Sequence, residues 1–219
     1  MQNWKKIDKH RLAVFTDAIM AIIMTILVLD LKVPVANIET NHDLKQQLLK
    51  QLPHFWGFAI SFSMIVIIWF SHHNLITILS QANRTFAVLN FLFSGAIATL
   101  PFSTALVSEY PFYSLSVAIL AGNMFLMNFF LSAMYVYVDK KKLIIPGIMP
   151  GWYKMIKQTL GIAGGLLLLS AVFVSFISPN LALILIVSVP LMHCIPVRPP
   201  KSKVPNPEII PEIKTKAAE

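Results

Sequence analysis

Asp17 lies inside an apolar run that reaches from Arg11 to Val33, and a carboxylate in such a segment is costly and usually faces protein or water. Few side chains can answer it. Trp69, His72 and His73 close a second apolar segment, and Asn90 and Ser94 belong to the next, at depths that an antiparallel neighbour brings close to Asp17. A carboxylate, an indole N–H, an imidazole and an amide can satisfy one another's hydrogen bonds. Such a set fits a structural network at the base of the first helix, a proton relay or a metal site. Adjacent positions on a helix point about 100° apart, which makes His72 and His73 a poor ligand pair. There is no Cys/His spacing of a structural zinc site, and Cys194 is the single cysteine. The network needs no further ligand and is the preferred reading; no metal and no cofactor is expected.

Higher on the same segment, Ile22, Ile26 and Leu29 recur at i, i+4 and i+7 and make a narrow aliphatic stripe, with Thr25 beside it. Asp17 lies about 140° around the helix from Ile22, so the acid and the stripe face different directions. If the stripe faces a central axis, Asp17 faces the supporting helices. Taken on its pattern alone, the stripe is better explained by contact with lipid or with a neighbouring helix, since any transmembrane helix carries aliphatic positions at this spacing.

These residues require a membrane scaffold. Of 219 residues, 56% are hydrophobic and 13% are charged, against about 25% charged in a soluble domain. Intervals without Lys, Arg, Asp or Glu run from Gln51 to Asn83, Thr85 to Ser108, Tyr110 to Val138 and Gln158 to Val197, each longer than the roughly 20 residues a span needs. The last is long enough for two spans and holds Ser178-Pro179-Asn180, a break signal, near its middle. The expectation is an all-α chain of six transmembrane helices, over 11–33, 53–79, 83–108, 111–138, 152–178 and 180–195. Residues 1–196 then form one membrane domain, and 197–219 a basic, Pro-rich and disordered cytoplasmic tail. The stretch from Asn37 to Leu52 is polar enough for an external loop.

The first segment continues past the length of a signal-peptide core, carries Asp17 and Asp30, and has no convincing cleavage site after it, so it reads as a retained helix. Six spans put Lys5, Lys6, Lys9, Arg11, Arg84, Lys140, Lys141, Lys142, Lys154, Lys157, Arg198, Lys201, Lys203, Lys214 and Lys216 on one side, and only Lys32, Lys45 and Lys50 on the other. That asymmetry predicts a multi-pass protein of the inner (plasma) membrane with both termini in the cytoplasm. It also accounts for the net charge of +8, so no nucleic-acid partner is expected; lipid is the surrounding medium.

The run Arg11-Leu12-Ala13-Val14-Phe15-Thr16-Asp17-Ala18, continuing through Thr25-Ile26-Leu27-Val28-Leu29, resembles the first-helix signature of the transmembrane protein 175 family. The likeness extends to Trp69 with His73, to Asn90 and to Pro101-Phe102-Ser103-Thr104. Thr16 stands where that family usually has Ser, which keeps the hydroxyl and adds a methyl group. The resemblance implies a symmetric homotetramer whose first helices line a central, potassium-selective pore. In it Ile22 makes the narrowest ring, Thr25 a polar ring beside it, and Ile26 and Leu29 further apolar layers. Arg11, Phe15, Thr16, Asp17, Trp69, His73 and Asn90 would hold helix one in place.

Two functions follow from these residues. The first is a passive channel of moderate preference for potassium over sodium, with a hydrophobic constriction on helix one and potassium ions as its permeant partner. The second is a proton-coupled carrier that uses Asp17 and His73. An enzyme is not expected, because no nucleophile or metal constellation accompanies the acid and the histidines.

Overall fold

The computed structural model describes residues 7–33, 38–146 and 150–193, and all regular structure within them is helical. Helix α1 (Lys9–Val28) starts where the Asp8 side chain accepts from the His10 N–H at 2.8 Å. The first helix was expected to reach Val33 but ends at Val28, with Leu29 as its C-cap. Beyond Val28 the N–H groups of Leu29, Asp30 and Leu31 bond three residues back, to the carbonyls of Ile26, Leu27 and Val28, so the helix closes in a tightened last turn.

The polar stretch expected to be an external loop contains a helix, α2 (Asn41–Lys50). Thr40 and Asp43 form a reciprocal capping box at its start. Both the hydroxyl and the N–H of Thr40 donate to Asp43 and hold its carboxyl below the ordinary range. Leu44, Leu48 and Leu49 recur at helical spacing, a signal that the polarity of the segment masks.

Helix α3 (Leu52–Ile78) begins at a proline in its first turn and spans the bundle. The third expected helix is divided at Thr99 into α4 (Arg84–Ala98) and α5 (Leu100–Glu109). Pro101 removes a backbone donor and crowds the preceding turn, which interrupts the ladder there. The carbonyl of Ala96 is taken up by the Thr99 hydroxyl at 2.9 Å and by Asn123 Nδ2 at 3.1 Å. Asn123 belongs to α6 (Ser114–Lys140), the central helix, which packs against α3, α4, α5, α7 and α8. Helices α7 (Gly151–Val174) and α8 (Pro179–His193) are joined by a short turn at the expected break. There Ser178 Oγ accepts from the Leu181 N–H at 3.4 Å, and Pro179 occupies the first turn, where its lack of an N–H costs nothing.

Among the described residues five stretches, with α4 and α5 counted as one, are long and apolar enough to cross a membrane. The described part of α8 has 15 residues and is shorter than a full span. Cys194 and the tail expected over 197–219 lie outside the described residues. The core between the helices is aliphatic and aromatic, built on Met20, Leu27, Ile65, Phe86, Phe93 and Met124. α1 lies against α3, α4 and α5, whereas α7 lies against α6 and α8. The first helix is therefore on one flank of the bundle, held by its neighbours on one face.

α3 lies tight against α5 at Gly57, where an added Cβ would stand 2.2 Å from Ser108 Oγ and 3.5 Å from Thr104 Cγ2. Gly57→Ala is expected to lower stability by about 1–3 kcal/mol, the cost of overpacking a tight contact. Ser108→Ala in the same chain should restore most of it, because the next neighbours are at ordinary contact distance. Thermal unfolding of the single and double variants in detergent measures both effects; an unimpaired single variant would refute the tight contact.

Candidate functional site on the first helix

The two faces of α1 differ in what they touch. Leu12, Thr16, Met20, Ile23 and Leu27 are buried, at steps of three or four residues. Ile22 is 56% exposed, Ile26 40% and Leu29 74%, and Thr25 is exposed among them. The aliphatic stripe and Thr25 thus lie together on the face that, among the described residues, no other helix covers. The Thr25 hydroxyl donates to the Ile22 carbonyl at 2.7 Å, which leaves its oxygen lone pairs as the polar feature of that face.

The opposite side of α1 is tied down by two sets of polar contacts. In one, Trp69 Nε1 on α3 donates to Asp17 Oδ1 at 3.0 Å, and the indole stacks on His73 with ring centroids 5.5 Å apart. In the other, Asn90 Nδ2 on α4 donates to Thr16 Oγ1 at 2.8 Å. The Thr16 hydroxyl in turn donates to the Leu12 carbonyl at 3.1 Å, with Ser94 Oγ 3.5 Å away. Asn90 Oδ1 meets His72 Nε2 at 2.9 Å, and the His72 ring stacks on Phe93. Thr16, His72 and Asn90 are all buried. Three helices are joined through one threonine hydroxyl and one amide.

The histidine hydrogen-bonded into this network is His72, not His73, which is exposed and contacts Trp69 through its ring face. His73 follows Trp69 by four residues and so stacks above it on one side of α3. His72 instead continues the buried row of Ile65, Ile68 and Leu75, and that spacing is the signal that singles it out. Arg11 is exposed and takes no part in these hydrogen bonds. Phe15 is exposed and meets Phe91 edge-on, with centroids 5.3 Å apart. Among the described residues no three His, Cys, Asp or Glu side chains are grouped to hold a metal ion.

At the other end of α1, Asp30 Oδ2 is 3.1 Å from His54 Nδ1, and His54 Nε2 is 3.7 Å from Glu109. These contacts tie the chain just beyond α1 to the starts and ends of α3 and α5. The exposed stripe is therefore anchored at both ends from behind.

Residues 11–101 match the family model described as the endosomal/lysosomal potassium channel TMEM175. This segment belongs to the TMEM175 family. It contains α1 to α4, and with them the stripe and both sets of anchoring contacts. The chain is 33% identical over 103 residues to a potassium channel of Chamaesiphon minutus, covering 47% of this chain and 51% of that protein. It is 34% identical over 103 residues to a potassium channel of Streptomyces collinus, covering 47% and 49%. A relative in Gallus gallus, an endosomal/lysosomal proton channel TMEM175, is 32% identical over 111 residues, 48% of this chain and 22% of that one. The match spans about half the length of the two bacterial relatives. The fold is that of the crystal structure of a lysosomal potassium-selective channel TMEM175 homolog from Chamaesiphon minutus. The TM-score is 0.73 at 24% identity, over 85% of this chain and 96% of that one.

Proposed function

We propose that this chain forms a potassium-permeable channel in which copies of α1 surround a central axis as a homotetramer. The observation that carries the reading is the division of α1 into two faces. Ile22, Thr25, Ile26 and Leu29 stand uncovered on one, while Thr16 and Asp17 are hydrogen-bonded to α3 and α4 on the other. An uncovered aliphatic face on a rigidly held helix is what a pore lining requires. The names of the bacterial relatives support potassium as the permeant ion.

Ile22 forms the narrowest ring in this reading, with Ile26 and Leu29 as further apolar layers. An ion crossing an aliphatic ring sheds part of its water, and the ring offers no oxygen to replace it. Potassium is less strongly hydrated than sodium and loses less, so the preference is moderate; the same ring can close by dewetting. The Lys and Arg asymmetry supports insertion in the inner membrane with both termini in the cytoplasm.

The proton-coupled carrier has less support. The Trp69 indole stands between Asp17 and His73, donating to one and stacking on the other, so the two titratable groups share no hydrogen bond. The deciding measurement is the reversal potential of the purified protein in a planar bilayer with potassium on one side and sodium on the other. A potassium-directed potential with single-channel steps is expected. Flux that saturates with substrate and requires a proton gradient would establish the carrier instead. The proton-channel name of the vertebrate relatives makes a pH gradient under symmetric salt a necessary companion experiment.

A further inference from the structure

Away from α1, a cavity of about 340 Å³ opens between α3, α5, α6 and α8, walled by Trp56, Ile60, Val107, Leu120, Leu183 and Val187. Its lining contains no ionisable side chain, and its size falls within the roughly 300–1,000 Å³ of ligand pockets. Trp56, Ile60 and Val187 also wall a second cavity, of about 200 Å³, that reaches Ser63, Pro190 and Leu191. At the opposite end, Pro53, Pro111 and Phe112 are shared with a third, of about 380 Å³, lined by Lys50, His54, Glu109, Tyr110 and Tyr113. The three share walls in sequence, apolar at depth and charged at the mouth.

Depth and charge select the occupant. The rise from Pro53 to Ser63 along α3 is about 15 Å at 1.5 Å per residue, half of a hydrocarbon core about 30 Å thick. The apolar part is therefore as deep as one leaflet. Exposed Tyr110, Phe112 and Tyr113 ring the mouth, at the level where aromatic side chains meet lipid headgroups. Lys50 supplies a cation there. Glu109 supplies an anion whose side chain is 61% exposed and lies 3.7 Å from His54 Nε2.

We propose that this slot binds one zwitterionic phospholipid from the leaflet on the α2 side. One acyl chain lies in the apolar chambers, the phosphate sits beside Lys50, and the headgroup amine faces Glu109. A fatty acid brings the chain without the amine, and a helix from another protein brings no charge pair at one end. The site does not depend on whether the chain conducts ions.

Native mass spectrometry of the full-length protein, titrated in detergent with dioleoyl phosphatidylethanolamine, tests the assignment. One lipid per chain should be held more tightly than the rest. Val187→Trp fills the junction of the two apolar chambers and should lower its retention about tenfold or more, since each buried CH₂ contributes appreciably to lipid affinity. Lys50→Gln should lower it about fivefold, as expected for one cation near a headgroup. Oleic acid lacks the amine that faces Glu109 and should bind about fivefold or more weakly than the phospholipid, the worth of about one charge contact at the membrane surface. Monodisperse elution and helical circular dichroism certify each variant, with Leu183→Trp replacing Val187→Trp if the latter does not fold. Unchanged retention in a folded chamber variant or in Lys50→Gln, or equally tight oleic acid, overturns the proposal.

Discussion

Ile22→Asn is expected to raise single-channel conductance and to abolish most of the preference for potassium over sodium. An asparagine ring places amide oxygens where the aliphatic ring offers nothing, so an ion entering it recovers part of the hydration it gives up. Sodium, which loses more on dehydration, gains more from that replacement, and the two permeabilities converge. Each tenfold fall in the permeability ratio moves the reversal potential between potassium and sodium solutions by about 59 mV. Ile22→Val, which keeps the ring apolar, should leave the sign of the potential unchanged. Ile184→Asn is the control, because Ile184 on α8 is 65% exposed and belongs to a helix that packs on α3, α6 and α7 rather than on α1. It should leave selectivity untouched. Wild-type currents in a folded Ile22→Asn protein would remove Ile22 from the constriction while leaving the fold as described.

The opposition of Asp17 and Ile22 was legible in the sequence because it needs only helical geometry, about 100° per residue. So was the break at Ser178-Pro179-Asn180, which follows from the chemistry of proline. The choice between His72 and His73 was not, because α3 is apolar around most of its circumference. In water a polar face marks the outside of a helix, but in a bilayer lipid and core are both apolar and the mark is lost. Only the row of Ile65, Ile68 and Leu75, known once α1 and α4 are in place, tells which histidine points inward. The division at Thr99 was hidden for a related reason. Pro101 lies inside a charge-free interval long enough for one span, and Asn123 of α6, which shares the Ala96 carbonyl with Thr99, is a partner that only the packed bundle supplies. α2 was missed because its polarity was read before the spacing of its leucines.

Asn90→Leu is expected to be the most destabilising single change in the network, by about 2–4 kcal/mol. Asn90 is fully buried and serves two partners at once, donating to Thr16 and meeting His72. Leucine has the same branching and a slightly larger volume, so the cost is not cavity. The cost arises from the stranded groups: a buried donor or acceptor left without a partner costs about 1–3 kcal/mol. A single interhelical hydrogen bond in a membrane averages only about 0.6 kcal/mol when measured by double-mutant cycle, so the orphaned partners, rather than the lost bonds, dominate the loss. Adding Thr16→Val and His72→Phe removes those partners and should therefore recover part of the stability, because matched apolar replacement of a hydrogen-bonded set can approach neutrality. Reversible unfolding in mixed micelles measures the series, and a triple variant less stable than Asn90→Leu alone would contradict this account. Thr16 lies below Ile22 on α1 by about 9 Å of helix rise, so whatever loosens the hydroxyl also frees the ring. Network variants should alter stability and conductance together, whereas Ile22 variants alter conductance alone; that separation distinguishes a residue that lines the pore from one that holds the lining in place.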